Sequence, residues 1–241
     1  MTLVALWSPK GGSGTSVVTA ACAVVLAGRG GARVVDLTGD QPAVLGLGHD
    51  PTPGVADWVA LGDDAPGGAP DALTVEVGEH LSLLPLGGGS TRAARRALAG
   101  RSAAMAGAAL ATALRGAPVP QLADAGPAAD GAARALSEVA DVALVVLRPC
   151  YLALRAALGA PLLARSAGVV LVDEPGRSLG AREVAEVLGR PVLATVPVRP
   201  SIARAVDAGV LPRRLPVELG RAAAGALSAV GMLPHLRGRA A

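Results

Sequence analysis

A glycine-rich turn near the start of the chain, Trp7-Ser-Pro-Lys-Gly-Gly-Ser-Gly-Thr-Ser16, does most to limit what this sequence can fold into. A short apolar run, Leu3 to Leu6, precedes it, and a longer one, Val17 to Leu26, follows. By length and pattern these read as a strand and a helix, with the glycines at the junction. Backbone N–H groups in such a turn converge, and the helix N-terminus adds partial positive charge, which suits a bound polyphosphate. Gly11, Gly12 and Gly14 lack the Cβ atoms that would hold that group away. The chain has 22 Lys and Arg residues together, and Lys10, inside the turn, is its single lysine. A compact ammonium on a flexible stem suits phosphate at that point. The plainer alternative is a glycine-rich β–α turn with an incidental lysine.

The ordinary phosphate-loop pattern is G-x-x-x-x-G-K-[ST], and the sequence departs from it, with Pro9 at the first glycine and Thr15 at the lysine. Lys10, Gly11, Gly12, Gly14 and Ser16 instead fit K-G-G-x-G-K-[ST]. The turn thus resembles the deviant Walker A loop of the ParA/MinD family of P-loop ATPases, and with its in-cis lysine replaced by Thr15 it looks most like the degenerate CpaE/TadZ branch. The resemblance implies a single-domain α/β fold over residues 1–230, a doubly wound and mainly parallel sheet flanked by helices, with a basic tail at 231–241. It implies ATP contacts from Lys10, Gly11, Gly12, Ser13, Gly14, Thr15 and Ser16, and a nucleotide-bridged homodimer in which Lys10 reaches the partner's phosphates.

Further along, Ala32 to Asp36 reads as a second strand, completing a β–α–β unit with a right-handed crossover. A carboxylate at the C-terminal end of such a strand faces the ligand crevice, which makes Asp36 a candidate catalytic residue. In the relatives a second Asp two positions later orients the attacking water; Thr38 stands there in this chain. Asp40 has two readings, a replacement for that Asp or a turn and helix-cap residue. Leu122-Ala-Asp-Ala-Gly-Pro127 resembles the end of a Walker B strand, although Pro118, Pro120 and Gln121 suit the start of a central strand poorly. By resemblance Mg²⁺ would be held by Ser16, Asp36 and Asp124. Asp173 stands where many relatives carry an adenine-reading Asn, and Pro197 in the segment flanking the base. An Asp there accepts from the adenine amino group but cannot donate, so base recognition is expected to be altered.

Asp141 to Pro149 gives the clearest strand, a continuous apolar run of the kind found in a sheet covered on both faces. A helix is expected over Tyr151 to Leu163, strands at Gly168–Asp173 and Pro191–Pro197, and a last helix from Leu215 to about Val230. Thr91 to Leu114 reads as one or two Ala-rich helices. The arginines at 92, 95, 96 and 101 near its start form either a solvated face or a patch for DNA or phospholipid.

Composition narrows the function. Of 241 residues 51% are hydrophobic and 17% charged, which supports a sizeable core and argues against bulk disorder. Aromatic residues make up 1%, so no stacking platform for single strands exists. A net charge of +3 permits anionic partners without demanding them. Cys22 and Cys150 are far apart and no C-x-x-C occurs, which argues against zinc and iron–sulfur centres and fits a reduced, cytoplasmic setting. The first apolar run leads straight into the glycine turn, so it reads as a strand rather than a secretion leader. Pro234 and the scarcity of bulky apolar residues in the tail argue against membrane insertion.

Three functions follow from the resemblance. The first is a positioning protein with weak or no hydrolysis, recruited to a pole, septum or nucleoid with a protein partner from a localisation or secretion machinery. The second is an active partitioning ATPase that binds DNA non-specifically. The third is a nucleotide-free scaffold with a vestigial loop.

Overall fold

Every side chain from Leu3 to Ser8 is buried, as an apolar strand in the middle of a covered sheet requires. This strand, β1, divides its side chains between two cores by the period-two rule. Leu3, Ala5 and Trp7 pack on one face of the sheet and Val4 and Leu6 on the other. Trp7 is buried and donates its indole N–H to Ser166 Oγ at 2.9 Å. The computed structural model describes residues 2–62, 69–128 and 130–233. Pro234, Arg237 and Arg239, and with them most of the expected basic tail, lie outside those residues.

In chain order β1 is followed by α1 (Thr15–Ala27), β2 (Ala32–Asp36), α2 (Gln41–Val44), α3 (Val55–Ala60), α4 (Ala69–Ala72), β3 (Val75–Gly78) and β4 (Leu81–Leu84). Then come α5 (Thr91–Ala97), α6 (Gly100–Arg115), β5 (Gln121–Pro127), α7 (Gly131–Val139), β6 (Val142–Leu147) and α8 (Tyr151–Leu158). After a 3₁₀ turn at Pro161–Arg165, β7 (Ser166–Asp173), α9 (Ala181–Leu188), β8 (Val192–Pro197), α10 (Pro200–Asp207) and α11 (Val217–Ala229) follow. The strands form one sheet in the order β3-β4-β2-β5-β1-β6-β7-β8. Among the described residues only the edge pair β3–β4 is antiparallel.

Helices cover both faces. Residues of α1, α10 and α11 join the core containing Val4 and Leu6, and residues of α3 and α5 to α9 join the core containing Trp7. Small residues let these helices approach closely. A Cβ on Gly107 of α6 would lie 2.4 Å from the Ala132 carbonyl oxygen of α7. Among the described residues no single helix is long and apolar enough to cross a membrane.

Two expectations about helices are refined. The expected run from Tyr151 to Leu163 stops at Leu158, because Gly159 ends α8 and Pro161 begins the 3₁₀ turn. The stretch from Thr91 to Leu114 is two helices meeting at 88° across Leu98 and Ala99. The strand that carries Leu122-Ala-Asp124, β5, is central despite the nearby prolines, because Pro118 and Pro120 precede its first residue, Gln121. Pro120 has no N–H to donate, but its carbonyl still accepts from Arg33 N at 2.9 Å.

Candidate functional site

The glycine turn forms the junction between β1 and α1. Gly12 and Gly14 have φ of 77° and 87°, a region that side chains disfavour. A Cβ on Gly12 would meet nothing within 4 Å, so the space above it is open. Gly14 is the N-cap of α1 and supplies no side-chain cap, and the first turn of α1 holds no acidic residue. Its N–H groups are thus left for an anion. Ser13 and Thr15 are buried. Ser13 Oγ donates to the Lys10 carbonyl at 2.9 Å and closes the turn. Gly11 through Ser16 line a cavity of about 790 Å³. Lys10 is exposed and its side chain is not on the wall of that cavity.

Behind the cavity lie two carboxylates. Asp36 ends β2, Asp124 lies in β5, and the two are direct partners in the parallel register. Both are fully buried. Asp36 Oδ1 accepts from Thr38 N at 2.9 Å, Gly39 N at 2.8 Å and Thr38 Oγ1 at 3.0 Å. Asp124 Oδ2 accepts from Gln41 Nε2 at 2.8 Å and lies 3.1 Å from Thr38 Oγ1. Thr38 has one hydroxyl hydrogen for two carboxylates, so it can donate to only one at a time. Burial, and then the neighbouring Asp124, push the Asp36 carboxyl up to about 7. Burial also raises Asp124, while hydrogen bonds from Gln41, Ser16 and Thr38 pull it back.

Local irregularities make this cluster possible. The β1–β5 register slips between Leu6 and Trp7, beside Asp124, and Gly126 takes φ 53°. A Cβ at Gly126 would lie 2.5 Å from Thr38 Cγ2, so only glycine admits Thr38 to the carboxylate pair. Gln41 is fully buried and donates Nε2 to the Ser16 carbonyl at 3.0 Å as well as to Asp124. Its Oε1 is buried without a partner among the described residues. A spare acceptor beside two carboxylates suits a hydrated divalent cation, whose waters donate. Among the described residues no group of three or more His, Cys, Asp and Glu could hold a metal by itself. Two carboxylates with phosphate oxygens and water are the ordinary Mg²⁺ arrangement, so the donor set fits a metal that arrives with a nucleotide.

Asp40 occupies the N-cap position of α2, as one of its two readings expects, but its side chain makes no cap bond. Its carboxylate instead meets Arg95 of α5, with Arg95 Nη2 to Asp40 Oδ1 at 3.0 Å, while Arg95 Nε donates to the Thr38 carbonyl. Asp40 and Arg95 both line the cavity; Arg92, Arg96 and Arg101 are exposed and do not. Asp173 and Pro197 end the adjacent strands β7 and β8 as register partners, and Val198 N donates to the Asp173 carbonyl at 2.8 Å. Neither is on the cavity wall, although the loop is near, with a Cβ on Gly14 falling 3.6 Å from Val172. The roles of Gln41 and Arg95 escaped the sequence reading. Gln41 had a faint signal, an amide in an otherwise apolar short helix, whereas Arg95 was one arginine among four.

A mainly parallel sheet with β1 between β5 and β6, a glycine loop feeding α1 and paired carboxylates on β2 and β5 give this chain a P-loop NTPase fold of the ParA/MinD kind. Solved structures bear this out. MinD from Pyrococcus horikoshii OT3, complexed with Mg-ADP, superposes with a TM-score of 0.76 at 22% identity over 95% of this chain and 96% of that one. A ParA family ATPase from Chlorobium tepidum TLS gives 0.75 at 18% identity, covering 96% and 98%. A point variant of Cyanothece McdA in complex with ATP gives 0.75 at 15% identity, covering 97% of each chain. No protein-family model matches the sequence, and no curated protein does.

Proposed function

We propose that this chain is a nucleotide-dependent positioning protein of the ParA/MinD kind, in the degenerate CpaE/TadZ-like manner, which binds ATP as a homodimer and hydrolyses it slowly or not at all. The observation that carries the reading is the loop itself. It keeps an open glycine cradle and an uncapped helix N-terminus, yet places buried Thr15 where an in-cis lysine would sit. MinD of Pyrococcus horikoshii holds Mg-ADP and Cyanothece McdA holds ATP on the same fold, which supports a nucleotide in this cavity.

Backbone N–H groups of the loop and of the first turn of α1 bind the phosphates. Ser16, Asp36 and Asp124 would hold Mg²⁺, which would supply charge neutralisation at those phosphates when bound. Lys10, exposed and off the cavity wall, is free to reach a partner's nucleotide across a dimer. Thr38 turns its hydroxyl inward to the carboxylates, so it is spent on them rather than on an attacking water. Losing a preorganised charge or a water-orienting group at a transferring phosphoryl typically lowers the rate by orders of magnitude, which supports slow turnover. Asp40, paired with Arg95 at the rim, remains the candidate for orienting water.

One observation favours the nucleotide-free scaffold as second reading: Thr38 and Gln41 already satisfy much of the carboxylate pair from within the chain. Calorimetric titration with ATP and Mg²⁺, together with mass measurement in solution, separates the two. Micromolar binding with a shift to dimer supports the positioning protein. Absence of binding up to millimolar ATP sinks it in favour of the scaffold.

A further inference from the structure

The phosphate loop of this chain has Thr15 in place of an in-cis lysine and keeps Lys10 off the cavity wall, and that wall shows where another cation stands. Among the described residues Arg95 is the cationic side chain lining the cavity, facing the same space as Gly12, Ser13 and Thr15. The wall also carries Asp40 and Asp130, and the carboxylates of Asp36 and Asp124 lie behind it. A polyphosphate entering there without a cation would meet mostly negative charge. We infer that Arg95 supplies the in-cis positive charge to the bound nucleotide's phosphates that Thr15 does not, and that Asp40 holds its guanidinium in reserve.

This inference rests on the nucleotide reading above and adds a specific residue to it. Its footing is geometric. Ser90 caps α5, its Oγ accepting from Ala93 N at 3.3 Å, and α5 is pressed onto the site through two glycines. A Cβ on Gly39 would lie 2.6 Å from Thr91 Cγ2, and one on Gly88 2.7 Å from Ala94 Cβ. Both residues are in the φ > 0 region, so larger side chains would push α5, and Arg95 with it, away from the cavity. The Thr38 carbonyl then fixes Nε, leaving the Nη atoms to be held from the cavity side. The hold there is a single carboxylate, Asp40, and both side chains are about half exposed (51% and 56%). An ion pair so exposed is weak, and a phosphate, which takes a guanidinium fork through two oxygens, can displace it.

The test is calorimetric titration of the full chain with ATP and Mg²⁺, comparing wild type with Arg95→Gln, Arg95→Lys, Asp40→Asn and Arg92→Gln. Arg92→Gln makes the same charge change on an exposed neighbour, so it measures general attraction alone. Arg95→Gln is expected to weaken binding by about tenfold or more, the scale of a lost charge-assisted phosphate contact. Arg95→Lys should recover part of the loss, which also guards against a folding defect in the Gln variant. Asp40→Asn should tighten binding, because it frees the guanidinium and removes a charge that repels phosphate. Affinity for Arg95→Gln within about twofold of wild type, equal losses in Arg92→Gln and Arg95→Gln, or weaker binding by Asp40→Asn would each overturn the role of Arg95 while leaving the nucleotide reading intact. A wild-type chain that binds no ATP overturns both.

Discussion

Replacing Asp36 by Asn should make the nucleotide-free protein more stable, and by an amount set by pH. The Asp36 carboxyl is raised to about 7 from an ordinary value of 3.8, first by burial and then by Asp124. The folded state therefore binds this proton more tightly than the unfolded state. Its stabilising effect is fully present below about pH 4, is lost as pH rises toward about 7, and is flat above. About three pKa units correspond to roughly 4 kcal/mol as an upper bound. Asn is neutral throughout, and its Oδ1 can still accept from Thr38 N and Gly39 N, the shortest bonds of the present carboxylate. It loses the acceptor now facing Gln41 N at 3.3 Å, a long bond whose loss costs about 1 kcal/mol. Asp36→Asn should thus exceed wild type by about 2–3 kcal/mol near pH 8 and be equal or slightly less stable near pH 4. Urea unfolding of both chains across that range, with a chelator present, measures the gap. A gap that does not change with pH, or a variant less stable than wild type near pH 8, would refute the account of two buried carboxylates short of counter-charge.

Other expectations follow from the same geometry. Lys10→Ala should keep the fold but lose ATP-dependent dimerisation, read by light scattering; a variant that dimerises normally removes the cross-dimer role. Thr15→Lys should raise single-turnover ATP hydrolysis by about tenfold or more, since it returns the in-cis cation to the loop; an unchanged rate in Thr15→Lys that also persists in Thr15→Lys/Arg95→Gln would place the defect at Thr38. Ala is ordinarily the better helix former by about 1 kcal/mol, yet Gly107→Ala should destabilise by about 1–3 kcal/mol, because its Cβ would meet backbone of α7. A higher melting temperature for Gly107→Ala would contradict the close packing of α6 on α7.

The loop, β2 and the strands at 142–147 and 192–197 were legible because their signals are local: glycine spacing, apolar runs and flanking prolines. The pairing of Asp36 with Asp124 could be anticipated only through family likeness, since 88 positions separate them and register alone brings them together. Arg95 was not legible. Its neighbours at 92, 96 and 101 carry the same charge, and what distinguishes it is a corner made by Gly39 and Gly88, whose effect is three-dimensional. The break at Gly159 and Pro161 was written in the sequence but outweighed by the apolar run around it.

The burial of Trp7 has a consequence for light rather than for stability. The chain has two tryptophans and one tyrosine, so its ultraviolet emission comes almost entirely from two indoles. Trp58 belongs to α3, whereas Trp7 sits three positions before Lys10 on the strand that feeds the loop, with its N–H tied to Ser166. A Trp58→Phe chain leaves a single dry fluorophore at the root of the loop. If the loop takes up nucleotide as proposed, the emission of this buried indole is expected to change when ATP and Mg²⁺ are added to that chain.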